Sequence, residues 1–216
     1  MDFTSARHNM VENQIRANRV TDPVVISAMT ELPREVFVPE QLQGIAYVNE
    51  DIVLGQGRCL MEPVVLARLL QEAAVQSSDV VLDVGCGSGY SAAVLARMAS
   101  TVVALEPDAG LAARANGIMA ELGIDTVAVV EGPMKDGWSE QAPYDVILFD
   151  GAVSEVPSAI RDQLAEGGRL VAVIAEGGMG KAVLITRHGG TYSRRTVFDA
   201  ATSSLPGFVR RPTFEF

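Results

Sequence analysis

The chain has 216 residues, 48 % of them hydrophobic, with a formal net charge of −10 and a pI of about 4.7. That length and apolar content suit one α/β domain with a full core and argue against long disordered stretches. The acidic balance excludes a phosphate-backbone binder, which needs a basic face, and the short Arg194-Arg195 and Arg210-Arg211 pairs read as solvated surface.

The N-terminus, Met1 to Arg7, lacks the apolar core of a signal peptide, and no apolar run approaches membrane-spanning length. A soluble, cytoplasmic protein without a membrane partner is expected. Residues 1–60 read as a helical lid segment. Met10, Val11 and Ile15, then Val24, Val25, Ala28 and Met29, fall at helical intervals. Asp22 before Pro23 predicts an N-cap with proline at the first helical position, and Leu32-Pro33 ends that helix. Phe37-Val38-Pro39 reads as extended, with a short helix over Glu40–Ala46.

Residues 61–216 read as the α/β core, the whole forming one compact unit. Helices are predicted at Pro63–Ala74, Ser91–Met98, Asp108–Leu122 and Pro157–Leu164. They alternate with strands at Asp79–Val84, Thr101–Leu105, Thr126–Val130, Asp145–Phe149 and Arg169–Ile174. Such alternation predicts a doubly wound, Rossmann-like parallel sheet, with ligands at the carboxyl ends of its strands. Ala182–Thr186 and Ser193–Phe198 flank Gly189-Gly190 and read as an antiparallel hairpin, followed by a terminal loop or short strand from Leu205.

The densest chemical signal is Val80-Val81-Leu82-Asp83-Val84-Gly85-Cys86-Gly87-Ser88-Gly89-Tyr90. A buried strand feeds a glycine-rich bend and then a helix, whose first N–H groups and positive dipole end face the bend. Tyr90 stands where a dinucleotide loop would place its third glycine, and no lysine follows, so neither that loop nor a P-loop fits. The next predicted strand ends in Glu106-Pro107, a carboxylate placed to accept from both hydroxyls of a ribose. Three alternate glycines with such an acid suit S-adenosylmethionine, whose sulfonium and amino group also favour Asp83. Cofactor-binding candidates are therefore Asp83, Gly85, Cys86, Gly87, Ser88, Gly89, Tyr90, Glu106 and Pro107. Cys59 and Cys86 cannot form a disulfide framework, and with only His8 and His188 beside them no metal site is expected.

Met10-Val11-x-x-Gln14-Ile15-Arg16, Val20-x-Asp22, and Ala28-Met29-x-x-Leu32-Pro33-Arg34-Glu35-x-Phe37-Val38-Pro39 resemble the opening of the protein-L-isoaspartate O-methyltransferase family. The likeness continues through Ala46-Tyr47, Gly55-Gln56, the glycine loop with Tyr90-x-Ala92-Ala93-Val94-Leu95-Ala96, and Ala142-Pro143-Tyr144-Asp145. The resemblance implies a class I methyltransferase sheet with an N-terminal helical addition. It also implies methyl transfer from S-adenosylmethionine, leaving S-adenosylhomocysteine, to the free carboxylate of isoaspartyl residues in damaged proteins. A carboxylate is already ionised at neutral pH, so such a site needs no general base.

Three strings depart from the family pattern. Where the family has Thr-Ile-Ser, with its serine near the transferred methyl, this chain has Gly57-Arg58-Cys59-Leu60-Met61-Glu62-Pro63. Met61 falls in the serine's place, as site residue or core filler. Arg58 is either a bidentate anchor for a carboxylate or an exposed side chain. The family's Gly-Asp-Gly, whose aspartate recognises the adenine amino group, is replaced by Glu131-Gly132-Pro133-Met134, so the resemblance leaves the adenine to backbone groups around Gly132 and Pro133 with Met134 packing on the ring; its Val-Thr-Ala-Ala-Ala is replaced by Phe149-Asp150-Gly151-Ala152-Val153. An ionised Asp150 would repel an incoming carboxylate, orient another acceptor, or act as a base. Arg58, Met61 and Asp150 are thus the catalytic candidates. Two alternatives stand beside the leading reading: a methyltransferase of the same fold acting on a small molecule, with Asp150 as a magnesium ligand, and a non-catalytic cofactor-binding protein. No Asn/Asp-Pro-Pro-Tyr/Phe string marks an amino-methylating enzyme.

Overall fold

The computed structural model describes residues 2–176 and 179–208; the Arg210-Arg211 pair lies outside them. Asp2 opens helix α1 (Phe3–Met10) by accepting from the Ser5 amide. The chain continues through a wide turn, Val11–Ile15, to Asn18. Asp22 caps α2 (Pro23–Glu31) as predicted, its carboxylate accepting from the amides of Val24 and Val25, and the helix stops before Pro33. Residues Arg34–Phe37 form a 3-10 turn, so of the predicted extended stretch Phe37 is helical while Val38 and Pro39 are extended. The turn is held by tertiary packing: Phe37 is wholly buried edge-on against Tyr90, with ring centroids 5.3 Å apart. Glu40–Ile45 is likewise a 3-10 helix.

A short antiparallel hairpin follows, β1 (Ile52–Gly55) with β2 (Arg58–Leu60), turning through Gln56 and Gly57. Its strands were not anticipated. Then come α3 (Pro63–Ala73), β3 (Val80–Val84), α4 (Tyr90–Ala96), β4 (Thr101–Glu106), α5 (Ala109–Glu121, capped by Asp108) and β5 (Val127–Glu131). Their spans agree with the periodicity to within two residues, the largest difference being α4, which stops at Ala96 rather than Met98. β6 runs over Tyr144–Val153, four residues past the predicted end, because its second half pairs with β7 (Leu164–Glu176) beyond an irregularity between Leu148 and Ala152.

The helix expected over Pro157–Leu164 shrinks to four residues, α6 (Ser158–Arg161). Gln163 explains this. Its carbonyl accepts from Tyr144 N at 2.9 Å, and its side chain accepts from Trp138 N at 2.9 Å while donating to Asp136 O. The backbone is thereby drawn into the sheet at Leu164. β8 (Met179–His188) and β9 (Thr191–Ala200) form the predicted hairpin about Gly189-Gly190.

Among the described residues, β3 to β9 make one sheet in the order β5-β4-β3-β6-β7-β8-β9. Strands β5 to β7 in that order are parallel and the last two join antiparallel. Strand order reverses between β3 and β6, which sets a crevice at their carboxyl ends. One face of the sheet packs on α3, α4 and the N-terminal helices, and the other on Met134, Ile160 and Phe208. No described helix is long and apolar enough to cross a membrane.

Candidate active site

The crevice is built from the ends of three parallel strands. β3 ends one residue past Asp83, and the glycine bend turns its backbone through positive φ at Gly85, Gly87 and Gly89 before α4 starts at Tyr90. Gly85 shows why a side chain is excluded. A Cβ there would stand 2.8 Å from the Arg58 guanidinium, 3.0 Å from Leu205 and 3.0 Å from the Met134 sulfur. β4 ends at Glu106, whose carboxylate is wholly buried. Oε2 accepts from Gly87 N at 2.8 Å and from Arg58 Nε at 3.2 Å, and Oε1 accepts from Asp108 N at 3.2 Å. β6 contributes Asp150 from its irregular stretch, where a Cβ on Gly151 would meet Leu205 at 2.7 Å.

A second cluster joins Ser91 to Asp83 and Asp150. Ser91 Oγ is 2.6 Å from Asp83 Oδ2 and 3.0 Å from Asp150 Oδ2, and both aspartates are buried. The hydroxyl has one proton to donate, so it cannot bond two bare carboxylates at once. Burial pushes Asp150 up to about 7, with Arg58 nearby pulling the other way; burial and the adjacent Asp150 also hold Asp83 well above the usual carboxylate range. The pair therefore keeps a proton between its members near neutral pH. Asp150 accordingly repels an incoming carboxylate far less than a free aspartate would. Cys86 is buried in the bend, and burial raises its thiol well above the ordinary value, so it is an inert wall residue.

The candidate residues converge unevenly. Asp83, Gly85 to Tyr90, Glu106, Met134, Arg58 and Asp150 are all buried around the crevice. Gly132 is half-buried against Trp138, while Pro107 and Pro133 are exposed at its rim. Arg58 is 3 % exposed, which excludes its reading as a surface side chain. Met61 is buried in the core beneath the N-terminal helices. Among the described residues no three His, Cys, Asp or Glu side chains converge on a point that could hold a metal ion, so Asp150 has no ligand partners of that kind.

Several residues that shape the site have no local sequence signal. Arg34 is fully buried, donates to Ala46 O and Met61 O at 2.7 Å each, and lies 4.7 Å from the Tyr90 ring centre. The Pro-Arg-Glu-x-Phe-Val-Pro string thus braces the start of α4. Asp51 accepts from Glu62 N, Thr202 Oγ1 and Ser203 N, clasping the β1–β2 hairpin to the chain that carries Leu205. Trp138, the chain's single tryptophan, packs against Gly132.

This arrangement suits a ligand with both hydroxyls and positive charge. Asp83 Oδ1, Asp150 Oδ1 and Ser88 Oγ are buried with no hydrogen-bond partner among the described residues. Such orphaned acceptors are costly unless a ligand meets them.

A family model described as Protein-L-isoaspartate(D-aspartate) O-methyltransferase (PCMT) matches residues 5–201. The chain is 40 % identical over 188 residues to a protein-L-isoaspartate O-methyltransferase of Methylorubrum extorquens (strain PA1), covering 87 % of this chain and 82 % of that one. It is 34 % identical to that of Koribacter versatilis (strain Ellin345), over 95 % and 92 % of the two chains. A solved protein-L-isoaspartate O-methyltransferase structure superposes with a TM-score of 0.81 at 26 % identity, over 93 % of this chain and 66 % of the other. The glycine bend, the acid closing β4 and the buried N-terminal string all lie within the matched residues 5–201, and the chain belongs to the protein-L-isoaspartate(D-aspartate) O-methyltransferase family.

Proposed function

We propose that this enzyme transfers the methyl group of S-adenosylmethionine to the free carboxylate of L-isoaspartyl residues in damaged proteins. The observation that carries the reading is the buried Glu106 carboxylate standing beside the glycine bend at the sheet's switch point, in a chain of this family. When bound, S-adenosylmethionine supplies an electrophilic methyl group: an O–CH3 bond forms as the S–CH3 bond breaks, its electron pair stays on sulfur, and no proton moves.

The chain's own residues do the rest. Glu106 takes the ribose hydroxyls, and Asp83, through its orphaned oxygen, takes the cationic amino-acid tail where Gly85, Cys86, Gly87, Ser88 and Gly89 let the backbone come close. Pro107, Gly132, Pro133 and Met134 flank the adenine, and Tyr90 fixes the start of α4. Asp150, sharing a proton with Asp83, lets a second carboxylate approach without full repulsion. Leu205, Leu54 and Met134 line the bend and strip water from the reacting oxygen, which raises its nucleophilicity. The roles are those of binding and alignment, worth most where reactants are held in line.

Two free cysteines suit a reducing cytoplasm as the working compartment. The test is a matched peptide pair differing only in an isoaspartyl or an ordinary aspartyl linkage. Base-labile methyl ester is expected on the isoaspartyl peptide alone. Equal labelling of both, or labelling only of a small-molecule acceptor, would overturn the reading; binding of cofactor with no transfer would favour a non-catalytic protein.

A further inference from the structure

The guanidinium of Arg58 stands on the carboxylate that the cofactor's ribose would need and on a carbonyl of the bend where its amino-acid tail would lie. Its Nε bonds Glu106 Oε2 at 3.2 Å, and its Nη2 bonds Gly85 O. A carboxylate offers about four acceptor sites. At Glu106 three are taken, by the amides of Gly87 and Asp108 and by Arg58. A ribose brings two hydroxyls, and one remaining site cannot serve both. The backbone donors are fixed by the bend and by the start of α5, so Arg58 is the partner that can leave. It is carried on the three-residue strand β2, in a hairpin whose other strand exposes Val53.

A displaced guanidinium in this crevice needs another anion. The groups facing it are Asp83, Asp150 and Glu106, with Arg34 as a second cation; Asp51 also lies near Asp150. Glu106 would be taken by the ribose. Asp83 and Asp150 share Ser91 and hold one proton between them, leaving a single negative charge to face the cofactor's own positive charge. Arg34 is committed to two backbone carbonyls. Two carboxylates arrive with the reaction: the cofactor's own, on the amino-acid tail placed at the bend where the unpartnered Ser88 hydroxyl can donate to it, and the acceptor's, which a guanidinium fork matches in a bidentate pair.

We propose that Arg58 is an exchangeable, specificity-determining residue: it holds Glu106 and Gly85 O closed, gives them up to the cofactor, and then anchors the carboxylate of the methyl acceptor. This rests on the isoaspartyl reading for its second half only.

The experiment compares wild type with Arg58→Gln and Arg58→Lys. S-adenosylhomocysteine binding is followed by Trp138 fluorescence and calorimetry, and isoaspartyl-peptide methylation gives KM and kcat. Loss of the competing guanidinium should tighten S-adenosylhomocysteine about tenfold in Arg58→Gln, while the peptide KM rises about tenfold or more. The lysine variant, which keeps a charge without the fork, should move both in the same directions by less. A merely structural role would weaken both ligands together. Unchanged or weaker S-adenosylhomocysteine binding overturns the exchange, and a peptide KM within twofold of wild type overturns the anchoring. Should Arg58→Gln fail to fold, the lysine variant decides by the same signs. If wild type methylates no isoaspartyl peptide, the functional reading and the anchoring fall together, and the S-adenosylhomocysteine arm still decides the exchange.

Discussion

Replacing Asp150 with asparagine should change how stability depends on pH, in a direction opposite to that of most carboxylates. Asp150 and Asp83 are buried around one serine hydroxyl, and burial carries Asp150 from 3.8 up to about 7. The native protein therefore keeps a proton that the unfolded chain releases above pH 3.8. Stability is highest at the acid end of this window and is lost as pH rises through about 7. For one such group the loss between pH 5 and pH 8 is roughly 3 kcal/mol. An asparagine side chain has the shape of the protonated acid and can donate to Ser91, so Asp150→Asn should lack the part of this slope that Asp150 carries, while the part carried by the buried Asp83 stays common to both proteins. The assay is urea unfolding of both proteins from pH 5 to pH 8, with the m-value checked for constancy. The variant should be about as stable as wild type at pH 5 and roughly 2–3 kcal/mol more stable at pH 8. Parallel curves, with a difference that stays within about 0.5 kcal/mol across the range, would refute the shared proton.

Three further outcomes are expected. Glu106→Gln removes charge-assisted acceptance worth on the order of 1.5–3 kcal/mol per bond, so S-adenosylhomocysteine should bind roughly tenfold to a hundredfold more weakly by calorimetry; an unchanged affinity contradicts the ribose assignment. Arg34→Met removes two buried hydrogen bonds to carbonyls and the stacking on Tyr90; it should cost about 3 kcal/mol in urea unfolding, and a loss under about 1 kcal/mol would mean the string is not the brace described. Gly85→Ala places a methyl against Arg58, Leu205 and Met134 at a φ of +82°; stability should fall by about 1–3 kcal/mol and S-adenosylhomocysteine affinity should fall with it, whereas a variant indistinguishable from wild type in both would mean the bend is looser than its contacts imply.

What could be read without coordinates was whatever depends on neighbours in sequence. The Asp22 cap, the β3–bend–α4 unit, Glu106 closing β4 and the Gly189-Gly190 hairpin are all local, set by capping chemistry, glycine conformation and hydrophobic period. The misses depend on distant partners. α6 is cut short by Gln163, which answers to Tyr144 and Trp138, and β6 is prolonged by its pairing with β7. The β1–β2 hairpin is three to four residues a side, too short for an alternating pattern, although Gly55-Gln56-Gly57 between apolar residues was a usable turn signal. At the site, residue types pointed to a cofactor crevice. The pairing of Arg58 with Glu106, 48 residues on, and the shared Ser91 between Asp83 and Asp150 came only with the folded sheet. The Pro-Arg-Glu-x-Phe-Val-Pro string is instructive in the other direction. It carries the family resemblance in sequence, while the full burial of its arginine came only with the fold.

A crystal structure of the protein with S-adenosylhomocysteine tests the central claim most directly. The account predicts both ribose hydroxyls on the Glu106 carboxylate, the amino-acid tail beside Gly85 and Asp83, and the Arg58 guanidinium moved off both acceptors toward the acceptor side of the crevice. A ligand bound elsewhere, with Arg58 still seated on Glu106, would contradict it.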